Sequence, residues 1–545
     1  MFGQEVPLYD KSLAVNLRCN RAVADLLQSA YDGLELSDES ILGTSRERHG
    51  AIRIGRPDEF RWIVRFFACF GMEPHNYYDM TDIGAKSQPV TATAFRSQVD
   101  PHNRIFASLL RTDYFEESTA RRIESLLSSR QVFSDAAMEL VDRHERQGGL
   151  SNDDAQRLID EGTKRIFKWT GEARGRDLYE ELCAEGFKIA ADIACFGSHH
   201  LNHLTPNTLC IDLYSDAMKW RLGIIDLAEF ETRTASTLDF LDRTVDADWL
   251  MLHFRHLEHD EVHAFSRTGV AADRRNEIMC ALVETLEIPE LDLSALEHNG
   301  YKDATEGPAP GTQVLLRQDA YRALTEPIRF MDETPPFESE HTARFGEIEQ
   351  RFYAATPKGR RLYDACLQTH TDAAASGSVP GRDVPDGGGD EWEEPTAFSA
   401  FPATLDGMLA EGLVHATFDP APGVEREAAA CGSSDFTELL ERGLIRRRGM
   451  RYEDFLPISA AGIFASNLDQ YGTGSTAETR PHYSREQFEA IVGRTVIDSE
   501  ISYRAMQASS LLSSLKALGL DHHLDEAERH SIESAITAGN VPGFD

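Results

Sequence analysis

Apolar residues recur along the chain with two different spacings, which together predict alternating helices and strands. A helical spacing runs through residues 11–31, and a second helix is predicted for residues 57–71. Between them, residues 49–55 form a short β-branched run that ends in glycine, which is typical of a strand. Further strands are predicted at residues 91–95, 187–193 and 209–211.

The second half of the chain changes character twice. Residues 214–308 are acidic and mostly helical in pattern, which predicts an inserted helical unit. Strand-like alternation returns at residues 314–316 and 345–351. Residues 372–395 are rich in Gly, Asp, Pro, Ala and Ser, so we expect a flexible surface loop there.

Capping residues predict several helix boundaries. Ser134 and Ser151 are suited to begin helices, because a serine side chain can accept a hydrogen bond from a free backbone N–H of the first turn. The glycines at 148–149 and Gly519 are suited to end helices.

Composition indicates a folded protein. Of the 545 residues, 41% are hydrophobic and 9% are aromatic, as in globular domains. The longest apolar runs are too short to span a bilayer and the N-terminus lacks a signal-peptide pattern, so we expect a cytoplasmic protein. Eight cysteines without a C-x-x-C pair predict reduced thiols rather than disulfides or a zinc ribbon.

The charge is strongly negative, with 91 acidic against 55 basic residues and a net charge of −36. Such a surface repels nucleic acid and anionic lipid, so neither is expected as a partner. Adaptation to a high-salt cytoplasm is the simplest cause, and recruitment of a basic protein is the alternative. The sequence carries no signal for the oligomeric state.

Residues 197–208 hold three of the 19 histidines, His199, His200 and His203. Neutral imidazole is the commonest protein ligand of iron, zinc and copper, so a cluster beside apolar segments indicates a possible metal site. A polar loop with solvated histidines would have the same composition. The metal hypothesis therefore requires further ligands elsewhere in the chain.

Two predicted strands carry such candidates. Side chains alternate along a strand, so His49, Ala51 and Arg53 share one face, and an arginine there could bind a substrate carboxylate. Glu347 and Glu349 share a face of the later strand, and spacing alone does not choose between them. A solvated strand face would also explain either pattern.

A rival histidine cluster lies in the predicted helical unit. His253, His256, His259 and His263 follow a helical spacing, and residues 259–263 resemble a zincin motif with aspartate in place of glutamate. A solvated helix face is the simpler interpretation. Walker, G-x-G-x-x-G and G-x-S-x-G motifs are absent, which leaves nucleotide-dependent and serine-hydrolase functions without support.

Several long motifs together resemble one family. Arg-His-Gly-Ala-Ile-Arg-Ile-Gly at 48–55 and Tyr-Glu-Asp-Phe-Leu-Pro-Ile-Ser-Ala-Ala-Gly-Ile-Phe at 452–464 are similar to motifs of the 2-oxoadipate dioxygenase/decarboxylase family, of the vicinal-oxygen-chelate superfamily. Residues 93–96, 197–208, 341–351 and 356–364 match as well, in the same order. The likeness covers roughly residues 40–213, 313–370 and 400–518.

The resemblance implies an iron(II) held by His49, His203 and Glu347, with Arg53 as the substrate-binding arginine. Ile458 and Ser459 fall where the family contacts its substrate, although the family often has valine at the position of Ile458. The implied reaction converts 2-oxoadipate and dioxygen to 2-hydroxyglutarate and carbon dioxide. Two histidines and one carboxylate leave three coordination positions open, which is room for a bidentate 2-oxo acid and for dioxygen.

The resemblance also implies an α+β fold, in which a vicinal-oxygen-chelate-type mixed sheet surrounds one metal and is covered by helices. We predict a catalytic domain at residues 1–213, continued at 309–371 and 396–545, with the helical insertion at 214–308 and the acidic loop at 372–395. The insertion is expected to have no counterpart in the family, and a long acidic loop is unusual for it. Because either could cover the pocket, the resemblance determines the reaction type more firmly than the substrate.

Two other functions remain open from the sequence. One is a different metal-dependent vicinal-oxygen-chelate enzyme, an isomerase or hydrolase with zinc or manganese at the same ligands. The other is a metal-dependent binding or regulatory protein. The presence of Arg53 beside an open coordination sphere favours chemistry.

Overall fold

A computed structural model of the protein describes residues 1–81, 87–294, 306–375, 397–456 and 483–539. Within these ranges, the strands of four or more residues are β1 (Arg48–Ile54), β2 (Glu73–Asp79), β3 (Val90–Arg96), β4 (Asn103–Leu110), β5 (His203–Pro206), β6 (Leu316–Phe330), β7 (Phe337–Arg351), β8 (Ala416–Pro420) and β9 (Ile445–Gly449).

Helices cover these strands. Those of six or more residues are α1 (Pro7–Ala30), α2 (Asp38–Arg46), α3 (Pro57–Ala68), α4 (Glu117–Ser128), α5 (Asp135–Gln147), α6 (Asn152–Glu161), α7 (Arg176–Ala184), α8 (Lys188–Cys195), α9 (Ile211–Arg221), α10 (Leu227–Thr244), α11 (Ala247–His253), α12 (His259–Ala264), α13 (Ala272–Leu286), α14 (Pro357–Ala375), α15 (Leu405–Ala410), α16 (Phe436–Glu441), α17 (Arg485–Val492), α18 (Ser499–Ala517) and α19 (Glu526–Gly539). No described helix is both long enough and apolar enough to cross a membrane.

Two sheets meet at the edge strand β5. The larger has the order β2-β3-β4-β1-β5, in which β1 and β4 are parallel and the other neighbours are antiparallel. The smaller is built on the antiparallel hairpin of β6 and β7. Just beyond β5, the Thr208 backbone N–H donates to the Glu349 carbonyl oxygen over 2.8 Å. This contact brings β7 alongside the end of β5.

The predicted helix boundaries at the serines and glycines are confirmed. The Ser134 hydroxyl accepts from the Ala137 N–H at the start of α5, and Ser151 does the same at the start of α6. Gly148 ends α5 with a φ of 70°, a left-handed conformation that favours glycine. All eight cysteines are unpaired, as expected.

Two predicted strands are wrong. From Lys188 onward the predicted strand 187–193 belongs to α8. A short apolar run fits a buried helix as well as a buried strand, and the two alanines of this run favour the helix. Residues 209–211 make no strand ladder. There the side-chain oxygens of Asn20 and Gln350 accept from the backbone N–H groups of Leu209 and Ile211, respectively.

The acidic stretch 214–308 is mostly helical where the structure describes it, but it includes a two-residue strand at Ser266–Arg267, and the boundary at residue 214 falls inside α9. Helices α9, α10 and α13 share one hydrophobic core with the N-terminal helix α1. Most of the loop predicted at residues 372–395 lies outside the described residues, while its first four residues still belong to α14.

Candidate metal centre

His49 and His203 face each other across neighbouring strands. Strands β1 and β5 are antiparallel, with Ala51 opposite His203. His49 lies two residues from Ala51 and so shares its strand face. The two rings are nearly perpendicular, with centroids 5.6 Å apart, and both side chains are buried.

Glu347 on β7 completes a cluster of three. Its Oε2 lies 3.8 Å from His49 Nε2 and 3.6 Å from His203 Nε2. The three ligand atoms all lie within 4.8 Å of one another, and the described part of the chain contains no other such group. Atoms that each bind one ion at about 2.1 Å are about 3–4 Å apart, so these spacings fit a shared ion better than direct hydrogen bonds.

Two neighbours hold the Glu347 carboxylate in place. The Thr205 hydroxyl and the Gln318 side-chain amide donate to Oε2 over 2.9 Å and 2.5 Å. Oε1 of Glu347 and Nε2 of His49 are buried and have no hydrogen-bond partner. Because buried polar atoms are rarely left unpaired, these two atoms fit a metal ligand set.

The charges of the cluster also suit a cation. Burial opposes ionisation of Glu347, but His203 and His49 outweigh it and hold its pKa below the usual value. Burial lowers the pKa of His203 to about 4, so this ring is neutral near pH 7 and able to bind a metal.

Glu349 contacts the other nitrogen of His49. Its Oε2 lies 2.9 Å from His49 Nδ1, and Arg351 donates to both of its oxygens over 2.8 Å and 3.0 Å. A carboxylate on one imidazole nitrogen fixes the tautomer that leaves the other free for a metal. The two glutamates that spacing could not separate therefore occupy different places, Glu347 between the histidines and Glu349 behind His49.

Arg351 connects this cluster to the segment that follows Met450. Its Nη1 donates to the carbonyl oxygens of Tyr452 and Asp454 over 3.0 Å and 2.7 Å. The Phe455 ring packs on His49 with a centroid distance of 4.9 Å. The predicted substrate contacts Ile458 and Ser459 lie just beyond, outside the described residues.

Arg53 is buried on the same strand as His49. Its Nη1 donates to Asp192 Oδ2 over 2.7 Å and to Asn202 Oδ1 over 2.9 Å. The other Asp192 oxygen lies 3.1 Å from His200 Nε2 and 3.3 Å from His341 Nε2. The structure thus joins Arg53 to a second group of buried ionisable side chains.

The remaining histidines of the two sequence clusters lie elsewhere. His199 is buried 4.0 Å from Glu59. In the rival cluster, His253 stacks on Trp249, and His256 contacts the Ser40 hydroxyl over 3.3 Å. His259 and His263 lie against each other. Within the described ranges, these side chains do not form a three-ligand group.

Sequence reasoning missed the supporting residues Thr205, Gln318, Asp192 and Asn202. Thr205 could have been found, because it lies two residues from His203 and shares its strand face. Asp192 was hidden by the wrong strand prediction. Gln318 and Asn202 reach the site through tertiary contacts that have no local signal.

Fold and site define a class: a mixed α+β protein whose buried centre joins two histidines and one carboxylate, the ligand set of mononuclear non-haem iron oxygenases. A comparison with family models agrees. The model of the 2-oxoadipate dioxygenase/decarboxylase family matches residues 1–234 and 270–467, and the chain belongs to that family.

Curated relatives cover the chain almost from end to end. It is 32% identical over 535 residues to the 2-oxoadipate dioxygenase/decarboxylase of Pseudomonas putida, with 95% of each chain aligned. The enzyme of that name from Escherichia coli is 31% identical over 522 residues, 94% of each. The crystal structure of the Pseudomonas putida hydroxyglutarate synthase in complex with 2-oxoadipate gives a TM-score of 0.63 at 29% identity, covering 95% of this chain and 96% of that one.

The family match is wider than the motifs suggested. Its internal gap spans only residues 235–269, so the expectation that residues 214–308 have no family counterpart is wrong for most of that stretch. The division into catalytic domain and insertion stays a prediction.

Proposed function

We propose that this protein converts 2-oxoadipate and dioxygen to 2-hydroxyglutarate and carbon dioxide. Family membership and the names of full-length relatives support this reaction. The related crystal structure with bound 2-oxoadipate supports the substrate. Within this chain, the observation that carries the proposal is the convergence of His49, His203 and Glu347 in the interior.

Iron(II) is the metal that we propose for these three ligands. Bound there, it would supply chelation of the 2-oxo acid and activation of dioxygen. The chain supplies the geometry, since β1, β5 and β7 each contribute one ligand. Glu349 keeps Nε2 of His49 directed at the centre, and burial of all three side chains excludes bulk water.

Arg53 is the residue that we propose to orient the substrate. A guanidinium has five donors and can bind a carboxylate through two parallel hydrogen bonds. Because Asp192 and Asn202 accept from Nη1, the remaining donors of Arg53 are proposed to meet the substrate. On the strength of the family likeness at residues 452–464, Ile458 and Ser459 are proposed as further substrate contacts.

The finer fold class, a vicinal-oxygen-chelate arrangement around one metal, belongs to the same proposal. Its support is that strands of two adjoining sheets deliver the three ligands. The proposed partners are small molecules, a 2-oxo diacid and dioxygen.

Oxygen uptake by the iron(II)-loaded protein tests the proposal. With 2-oxoadipate we expect one dioxygen consumed and one carbon dioxide released for each 2-hydroxyglutarate formed. Uptake only with a different 2-oxo acid would overturn the substrate but keep the reaction type. Substrate turnover without oxygen uptake would favour an isomerase or hydrolase. No turnover, with iron content confirmed, would contradict the proposal altogether.

A further inference from the structure

Asp192 is the centre of a second buried cluster. Besides Arg53, its carboxylate contacts His200 and His341, and the Tyr179 hydroxyl lies 2.8 Å from Nδ1 of His341. The Asp192 side chain is fully buried, and those of Arg53, His200 and His341 are at most 7% exposed. Burying ionisable groups this completely costs free energy of folding unless the groups pair with one another. Such a cluster is therefore a candidate for a functional role.

The two oxygens of the Asp192 carboxylate contact different residues. Oδ2 accepts from Arg53, while Oδ1 lies between the two histidines. The Trp169 ring packs on both histidines, with centroids 4.6 Å from His200 and 5.7 Å from His341. Two buried imidazoles thus lie at ion-pair distance from the oxygen that Arg53 does not use, and this packing restricts rotation of the carboxylate relative to Arg53.

We infer that Asp192 is a positioning residue that fixes the Arg53 guanidinium beside the metal centre, with His200 and His341 holding Asp192 in turn. This inference rests on the proposed function, because it takes Arg53 as the group that binds the substrate carboxylate. It gives a role to His200, in the 197–208 stretch, and to His341, on β7. Neither of them is a proposed metal ligand.

The charges around Asp192 predict how removal of its negative charge would affect the substrate. Besides Arg53, which pairs with Asp192, Lys188 is near enough to interact electrostatically with both residues. Without the Asp192 charge, the cations still attract a substrate carboxylate, but Arg53 loses its fixed direction. Binding should then persist while the productive alignment is lost.

Asp192→Asn tests the inference, since it removes the charge and keeps the shape. We expect kcat with 2-oxoadipate to fall by about 100-fold, the cost of a small misplacement of reacting groups, without a rise in KM. Misaligned substrate should also raise the ratio of dioxygen consumed to 2-hydroxyglutarate formed above one. Loss of folded protein alone would lower dioxygen consumption and 2-hydroxyglutarate formation equally, so their ratio would stay at one.

A matched control is Asp248→Asn. Asp248 pairs bidentately with Arg447 over 2.9 Å, and both side chains are mostly buried, but neither touches Arg53 or the three proposed ligands. We expect this variant to keep kcat and the product ratio. If Asp192→Asn fails to fold, Asn202→Ala removes the other acceptor of Arg53 Nη1 and should give the same signature in weaker form.

A crystal structure of Asp192→Asn separates this inference from the proposed reaction. The inference predicts that the Arg53 guanidinium moves while His49, His203 and Glu347 stay in place. An unmoved Arg53 would overturn the inference even if the wild-type protein turns over 2-oxoadipate. A moved Arg53 would support it even if the wild type acts on another substrate. Unchanged kcat and product ratio in Asp192→Asn would also overturn it.

Discussion

Two buried clusters, side by side in the protein, each place one carboxylate between two histidines. In the first, Glu347 Oε2 lies 3.6 Å and 3.8 Å from the histidine nitrogens. In the second, the corresponding distances from Asp192 Oδ1 are 3.1 Å and 3.3 Å. Two histidines and one carboxylate are therefore at distances that fit a shared ion in the first cluster and at shorter, ion-pair distances in the second.

The source of positive charge also differs. Arg53 neutralises Asp192, whereas in the described structure Glu347 receives only the neutral donors Thr205 and Gln318 besides its two histidines. A buried carboxylate without a cation nearby is expensive. Among the described residues, no arginine or lysine pairs with the central carboxylate of the first cluster, which fits a metal ligand, whereas the second cluster already contains its cation. Residue composition alone would not separate the two.

The largest expected effect comes from Glu347→Gln. The amide keeps the size of the side chain but removes the anionic ligand, so iron binding and turnover should both fall to background. Iron content after anaerobic loading and oxygen uptake are the measurements. Asp192→Asn, the equivalent change in the second cluster, should keep its iron. Equal iron loss in both variants would show that the two clusters do not differ in their contribution to metal binding.

Arg53→Met should keep the metal and lose about 100- to 1,000-fold in kcat/KM, because a positioned cationic donor is removed from the substrate. Arg53→Lys is the matched variant, which keeps the charge but not the planar fork. We expect Lys to restore only part of the activity. Full activity of the Met variant, with iron bound, would show that Arg53 does not bind the substrate.

Glu349→Gln should weaken metal affinity by about 10- to 100-fold, the usual cost of losing a partner of a ligating histidine. The contact of Glu349 with His49 Nδ1 is the reason. Competition with a chelator, using cobalt(II) as a probe, measures the affinity directly. An affinity equal to that of the wild type would show that the His49 orientation does not depend on Glu349.

The last expected effect is on stability and its pH dependence, and it leaves metal binding unchanged. Burial lowers the pKa of His341 to about 4, from 6.5 in an unfolded chain. Between these values the unfolded state binds the extra proton, so stability falls as pH falls from 6.5 toward 4. His341→Gln should reduce this slope by about one proton, or about 1.4 kcal/mol per pH unit. Denaturant melts across the window test it, and the reduction should be the same with and without metal.

Local patterns predicted the parts of the fold that depend on local structure. The strand around His49 and the capped helices α5 and α6 followed from short-range spacing and end residues. Residues 187–193 did not, because buried helices and buried strands can carry the same short apolar run. His49 and Arg53 were candidates from strand alternation alone, whereas choosing His203 and Glu347 required the family resemblance.

The supporting contacts were not predictable, for a physical reason. Gln318 and Glu347 meet because β6 and β7 pair in a particular register, with two irregularities between Thr342 and Gly346. Asp192 meets Arg53 only when α8 packs against β1. Gln318 and Glu347 are 29 residues apart in the sequence, and Arg53 and Asp192 are 139 residues apart. Contacts between residues so far apart produce no local periodicity from which they could be predicted.

Anomalous diffraction at the iron edge, from crystals grown anaerobically with iron(II), shows directly which of the two clusters binds the metal. We predict a single peak per chain, about 2.0–2.2 Å from His49 Nε2, His203 Nε2 and a Glu347 oxygen. We predict no peak beside Asp192. A peak between Asp192, His200 and His341, or none at Glu347 in protein shown to contain iron, would contradict this prediction.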